Sequence, residues 1–215
     1  LPIPGGFGLY NALAALTCGL NAGLPLRAMA DILPHTVGVP GRMELLHLPG
    51  DVGVLIDSAA TPEQVDNLLL AANGLGEKRK ILVLGAPGDR DRSRRPLLGE
   101  AASRADVVIL TADDPRTEPV ADICAQIQAG MPRPAQFQPD RKAAITQALG
   151  LARPGDLVIL SGRGDKQTMR TQSGVIPLNE REIVLEYASQ VGNEKEKREK
   201  GRPETSEGAK DEVFD

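Results

Sequence analysis

Short runs of consecutive apolar residues, each closed by a small or polar residue, alternate along this chain with segments whose apolar positions recur at helical spacing. Ile81 to Leu84 stops at Gly85, Val107 to Leu110 stops at Thr111, and Leu157 to Leu160 stops at Ser161. Runs without polar alternation predict strands buried on both faces, as in a parallel sheet. Between the first two, Arg95 to Arg104 places Leu97, Leu98, Ala101 and Ala102 at helical spacing, with Pro96 suited to a first turn. The three segments form a βαβ unit, around which the rest can be placed.

Upstream of that unit, Glu44 to Leu48 and Val52 to Asp57 read as strands. Thr61 as N-cap, Pro62 at the first position and Glu63 in the first turn then start a helix that Leu68, Leu69 and Ala72 continue and Asn73-Gly74 ends. Downstream, the pattern predicts helices over Val120 to Gly130 and Arg141 to Leu151, with a short edge strand at Ala135 to Gln138 between them. A loop or hairpin over Gln167 to Pro177 and a last helix over Glu180 to Val191 follow. Strand, polar turn and helix repeated in this order predict an α/β fold, a doubly wound, mostly parallel Rossmann-like sheet. Ligands of such sheets bind beyond the carboxyl ends of the strands. Polar residues cluster there, at Asp89 to Arg92, at Asp113, Asp114 and Arg116, and at Ser161 to Lys166.

The two ends differ from this core. Ala12, Leu13, Ala15, Leu16 and Leu20 support a helix from Asn11 onward that Gly23 and Pro25 can end, and a second helix spans Leu26 to Leu33. Two short helices bury little against each other, so residues 1–40 read as the helical remnant of a preceding domain, with the Gly- and Pro-rich VGVPGRM as hinge. The opening LPIPGG already resembles the interior of a longer protein. Residues 41–191 form the α/β domain. From Gly192 the sequence is charged and nearly free of apolar side chains, and residues 192–215 are expected to be a disordered tail.

Composition narrows the function. A net charge of −4 and 2% aromatic residues supply neither the basic surface nor the stacking platforms of a nucleic-acid binder. No stretch approaches the roughly 20 apolar residues that span a bilayer, and the apolar run from Leu9 to Leu20 lacks a basic leader. Cys18 and Cys124 are far apart, without metal-ligand spacing, and read as buried reduced thiols of a cytoplasmic protein. His35 and His47 belong to no motif.

Single residues at the strand ends are chemically apt but ambiguous. Arg90 and Arg116 carry planar guanidinium groups that could pair bidentately with a carboxylate or phosphate. Arg116 equally suits an ion pair with Asp113 or Asp114. Asp57 suits two hydroxyl donors or a turn, Asn11 a ligand contact or a helix cap, and Arg42 a phosphate or a hinge salt bridge.

Taken together, GRME (Gly41 to Glu44), DSAATP (Asp57 to Pro62), GAPGDRDRSRRP (Gly85 to Pro96), TADDPR (Thr111 to Arg116) and SGRGDK (Ser161 to Lys166) occur in a telling order and spacing. This resembles the carboxyl-terminal domain of Mur ligases, nearest to the type that adds the third amino acid to UDP-N-acetylmuramoyl-dipeptide. The resemblance covers Phe7 to about Tyr187. It implies an ATP- and Mg-dependent ligase of peptidoglycan precursor synthesis, in which a nucleotide-linked carboxylate becomes an acyl phosphate and the amine of an amino acid attacks it. The partners implied are that amino acid, the UDP-muramoyl-peptide, and amino-terminal and central domains outside these residues. Carried over residue by residue, Arg90, Asp114, Arg116, Gly162 and Lys166 match the amino-acid site. Asn11 matches an adenine contact, Arg42 a phosphate contact and Asp57 a ribose contact.

The chain also departs from the family pattern. Gly8 replaces the first asparagine of an adenine pair, Ser58 and Ala60 replace an aromatic residue and a histidine, and Asp114 replaces an asparagine. Lys166 stands where the family has a glutamate for the amino group of a diamino acid, and would repel that group. Gly162 keeps its backbone to offer, and Asp165 or Asp114 are conceivable substitutes for the missing carboxylate. No G-x-x-x-x-G-K-[ST] loop is present, so these residues alone are not expected to hydrolyse ATP. The alternative is a degenerate, non-catalytic module that kept the fold and binds or pairs with an active ligase.

Overall fold

The computed structural model describes residues 6–75 and 79–200. Its centre is a six-stranded sheet in the order β1-β2-β6-β3-β4-β5. β1 (Glu44–Leu48) is antiparallel to β2 (Val52–Asp57), and β2, β6 (Leu157–Ser161), β3 (Lys80–Leu84), β4 (Val107–Leu110) and β5 (Gln136–Phe137) run parallel. β6 is buried along its whole length between β2 and β3, which explains its uninterrupted apolar sequence.

Helices cover both faces. α3 (Pro62–Asn73), α4 (Arg94–Ala102) and α5 (Val120–Gln128) pack Val65, Leu68, Leu98, Ala101, Ile123 and Ile127 on one face, against Leu55, Leu82 and Ile159. α6 (Arg141–Leu151) and α7 (Glu180–Lys200) pack Ala144, Ile145, Ala148, Ile183 and Val184 on the other, against Ile56, Val83 and Leu160. The crossover from β5 through α6 returns the chain to the middle of the sheet as β6. The helices that follow β2 and β3 therefore leave toward one face, while the chain after β6 continues through the hairpin of β7 (Thr168–Thr171) and β8 (Gly174–Pro177) to α7 on the other. That divergence opens a crevice at the carboxyl ends of β2, β6 and β3.

The doubly wound α/β architecture is as the pattern predicts. β1, β2, β4 and α6 have the expected bounds, and Thr61 caps α3 in a reciprocal capping box with Gln64. Three expectations need correction. α7 runs on to Lys200, so residues 192–200 are helical rather than disordered: Glu, Lys and Arg are strong helix formers and need no apolar face to extend an existing helix. The remainder of the expected tail, residues 201–215, lies outside the described residues. α1 (Gly6–Asn21) starts before Asn11, which therefore sits inside the helix and does not cap it. Cys18 on α1 is exposed, while Cys124 is buried with its thiol pushed up to about 12 by burial.

Candidate functional site

The strands deliver four loops to the carboxyl rim, in the spatial order Asp57 to Thr61, Ser161 to Gln167, Gly85 to Ser93 and Thr111 to Pro119. Their separation along the sequence exceeds their separation in space, because β6 is inserted between β2 and β3.

Asn11, Arg42 and Asp57 line one cavity of about 470 Å³, together with Val39, Ser58 and Asn67. Asn11 reaches it from α1, Arg42 from the turn before β1, and Asp57 from the end of β2. Asp57 holds this corner together: its Oδ2 accepts the Met43 N–H and its Oδ1 the Ala59 N–H, each at 2.8 Å. The turn-forming role is therefore real, yet each oxygen keeps a second lone-pair direction for a hydroxyl donor. The side chains of Asn11, Arg42, Ser58 and Asn67 have no hydrogen-bonding or ionic partner among the described residues. Among the described residues Arg42 makes no hinge salt bridge.

The turn that carries Arg42 is fixed from two sides. Glu44 accepts the Gly41 N–H with Oε2 and the Arg181 Nε–H with Oε1. Gly41 has a φ of +66°, and a Cβ there would overlap the backbone of Gly164 and Asp165. Only glycine lets this turn lie directly on the loop after β6.

Arg90 lies in the loop after β3 and lines a second cavity of about 300 Å³ with Thr61, Pro62, Ala86 and Arg94. The loop after β4, which carries Asp114 and Arg116, is stitched to it. Gly88 donates its N–H to the Asp114 carbonyl at 3.0 Å, and Thr117 Oγ1 donates to Asp89 Oδ1 at 2.6 Å. Asp89, Asp114 and Arg116 all have φ between 45° and 54°. Left-handed backbone is costly outside glycine, by about 1–2 kcal/mol per residue, and persists only where surrounding bonds over-determine it. Here the Arg116 N–H is held by the Arg170 carbonyl at 3.1 Å.

Arg90 and Arg116 are thus on one rim and on adjoining loops. Neither side chain has an ionic partner among the described residues, and the Nε of Arg116 is buried and unpaired. The ion pair with Asp113 or Asp114 does not form, because both aspartates hold Arg163 instead, at 2.9 and 3.1 Å. Asp114 accepts further from the Arg170 N–H at 2.9 Å and from Lys166 Nζ at 3.3 Å. Burial pushes the Asp114 carboxyl up, but the bonds from Arg170 and Arg163 and the charges of Arg163 and Lys166 outweigh it and hold it below its ordinary value. Asp114 is therefore engaged, and Lys166 is tied to it. Gly162 also differs from expectation: its N–H already donates to the Asp57 carbonyl at 3.0 Å, so only its carbonyl remains to offer.

Sequence reasoning missed the groups that hold these loops. Buried Arg163 braces the loop after β4 from the loop after β6, and also donates to the Thr168 carbonyl. Buried Arg141 ties the Ala112 and Ser161 carbonyls to Glu180 at the start of α7. Arg95 and Glu118 clamp the loops after β3 and β4. Arg141 starts a helix and Arg163 lies between two glycines, but nothing in the sequence tells a buried arginine from an exposed one. Asn67 lies one turn beyond Gln64 on the face of α3 that meets the cavity, a spacing that could have been read once the cavity's position was known.

The model of the Mur ligase glutamate ligase domain matches residues 41–164. The chain belongs to the Mur ligase family. It is 44% identical over 194 residues to a UDP-N-acetylmuramoyl-L-alanyl-D-glutamate–2,6-diaminopimelate ligase of Caldanaerobacter subterraneus, covering 88% of this chain and 40% of the relative. A solved structure of a ligase of the same description superposes with a TM-score of 0.70 at 30% identity, over 89% of this chain and 40% of that one. A Mycobacterium tuberculosis folylpolyglutamate synthase complexed with ADP and AMPPCP matches with a TM-score of 0.61 at 25% identity, over 75% of this chain and 38% of that one. The chain thus spans about two fifths of the length of these ligases.

Proposed function

We propose that this chain is the carboxyl-terminal part of an ATP-dependent ligase that joins an amino acid to a UDP-N-acetylmuramoyl-peptide in peptidoglycan precursor synthesis, in the cytoplasm. One observation carries the reading: three residues distant in sequence, Asn11, Arg42 and Asp57, meet in a single cavity with complementary chemistry. Arg42 offers an unpaired cation to phosphate oxygens, Asp57 offers lone pairs to ribose hydroxyls, and Asn11 offers an amide to a base edge. The nucleotide would supply the phosphoryl group that activates the peptide carboxylate. On the neighbouring loops, Arg90 and Arg116 would hold the carboxylate of the incoming amino acid and so orient its amine.

Among the described residues no group of three or more His, Cys, Asp or Glu side chains could hold a metal ion. Mg in such sites is usually held by one or two carboxylates together with the nucleotide phosphates and water, an arrangement that does not need such a group. Asp114 and Lys166, two positions that depart from the family pattern, pair with each other, and Asp114 also pairs with Arg163. The cavity keeps Asn11 and Arg42 without partners among the described residues, and this favours the ligase over the degenerate module.

Titration of ADP into the isotope-labelled chain tests the reading. ADP is expected to shift the amide resonances of Arg42, Met43, Asp57 to Ala59 and Asn67, and Arg42→Ala is expected to weaken the effect at least tenfold. Unperturbed resonances at millimolar ADP would remove the basis for the nucleotide site.

A further inference from the structure

Two consecutive residues at the start of α7 reach two walls of the nucleotide cavity without lining it themselves. Arg181 donates its Nε–H to Glu44 Oε1 at 2.9 Å, and Glu44 Oε2 accepts the Gly41 N–H at 2.8 Å, one residue before Arg42. Glu180 accepts from Arg141 at 2.7 Å, Arg141 donates to the Ser161 carbonyl at 2.8 Å, and Ser161 Oγ donates to the Ala59 carbonyl at 2.6 Å. Arg42 and Ala59 line the cavity, whereas Glu44 and Arg181 do not.

The turn that carries Arg42 needs such support. Gly41 and Met43 have φ of +66° and +49°, and a left-handed residue other than glycine persists only where its surroundings over-determine it. The Arg42 N–H donates to the Val39 carbonyl at 3.1 Å, the Met43 N–H to Asp57 Oδ2 at 2.8 Å, and the Gly41 N–H to Glu44. The terminal torsion of a glutamate is broad, so a single bond leaves its carboxylate free to swing. Arg181 supplies the second bond and fixes the plane. It can do so although its side chain is 56% exposed, because Glu180, the residue before it, is fully buried against Arg141 and anchors this turn of helix to the sheet. An exposed ion pair adds little to global stability, so the effect of this one is local.

Resting on the ligase reading, we propose that Arg181 is a positioning residue of the nucleotide site: through Glu44 it holds the turn that presents Arg42, so that the guanidinium is in place for phosphate oxygens before the nucleotide binds. Preorganisation of this kind raises affinity without a contact. A purely electrostatic role makes the opposite prediction at Glu44, since removing a carboxylate beside Arg42 would favour an anionic ligand.

Titration of the 215-residue chain with ADP, read by amide resonances, together with urea unfolding, tests this. Arg181→Ala is expected to leave the unfolding midpoint unchanged and to shift the Gly41 and Arg42 amide resonances of the free protein. It should weaken ADP binding about fivefold to tenfold, as when the competent turn is only fractionally populated. Glu44→Ala should also weaken ADP binding, and the double variant should bind no more weakly than Glu44→Ala alone. Arg181→Lys, which keeps a charged donor, should stay within about twofold of wild type. Tighter ADP binding by Glu44→Ala, unchanged binding by Arg181→Ala, additive losses in the double variant, or a lowered midpoint that accounts for the loss overturns the proposal and leaves the ligase reading standing. A wild-type chain that does not bind ADP overturns both.

Discussion

Glu118 grips the guanidinium of Arg95 with both carboxylate oxygens, each at 2.9 Å, and one of those oxygens also accepts the Asp89 N–H at 2.6 Å. The pair joins α4 to the loop after β4 and fixes the residue that precedes Arg90. Both side chains are almost fully buried, so loss of one partner strands a charge that water cannot reach. Glu118→Gln is expected to destabilise the chain by about 3 to 5 kcal/mol, the range for breaking a buried pair, and urea unfolding followed by circular dichroism measures it.

The same pair sets part of the acid sensitivity. The bonds from Arg95 and from the Asp89 N–H lower the Glu118 carboxyl from 4.5 to about 2. A depressed folded value means the unfolded state binds the proton more readily, so the contribution of Glu118 is complete above pH 4.5 and is lost as pH falls toward 2. Glu180 has the opposite sign. Burial raises its carboxyl above the ordinary value despite Arg141, so the native state retains the proton more tightly and this group costs stability as pH rises through 4.5. Urea midpoints measured as pH is lowered through this range should therefore show a flatter acid limb in Glu118→Gln and a limb at least as steep as wild type in Glu180→Gln.

Arg141 and Glu180 should respond unequally to substitution. Arg141→Met removes bonds to the Ala112 and Ser161 carbonyls and leaves Glu180 buried without its cation. A cost of about 3 to 5 kcal/mol follows. Glu180→Gln keeps an acceptor for Arg141 and removes a carboxylate that burial already disfavours, so a smaller cost is expected. Denaturant unfolding of both variants gives the comparison, and equal losses would contradict it.

Gly88 allows the loops after β3 and β4 to touch. A Cβ at this position would overlap the Pro115 carbonyl, and the backbone of both loops would have to separate. Gly88→Ala is expected to cost roughly 1 to 3 kcal/mol as an overpacked contact. It should also weaken binding of an amino acid more than binding of ADP, since Gly88 joins the loops that carry Arg90 and Arg116 and touches neither Arg42 nor Asp57.

Asn67 provides a test of the nucleotide cavity that disturbs no internal bond, because its amide is unpaired among the described residues. Asn67→Leu should leave the unfolding midpoint within error and weaken ADP binding about threefold to tenfold, the net worth of one hydrogen bond. Unchanged ADP affinity would place Asn67 outside the contact.

The alternation of apolar runs and helical periods, by itself, determined the strands, the helices and the parallel class of sheet, because burial on two faces requires continuous apolar sequence in β3, β4 and β6. It also placed Arg42, Asp57, Arg90 and Arg116 at element ends where a rim could collect them, whereas Asn11 lies inside α1. Only the tertiary structure decided the partners. Whether Arg116 pairs with Asp114 depends on the loop after β6, some fifty residues downstream, which brings Arg163 and Lys166 to that aspartate first. The Gly162 N–H is engaged for the same reason, since β6 lies beside β2 and reaches the Asp57 carbonyl. Local pattern reports which residues are buried, whereas charge pairing is a competition among loops that are neighbours only after the sheet has formed.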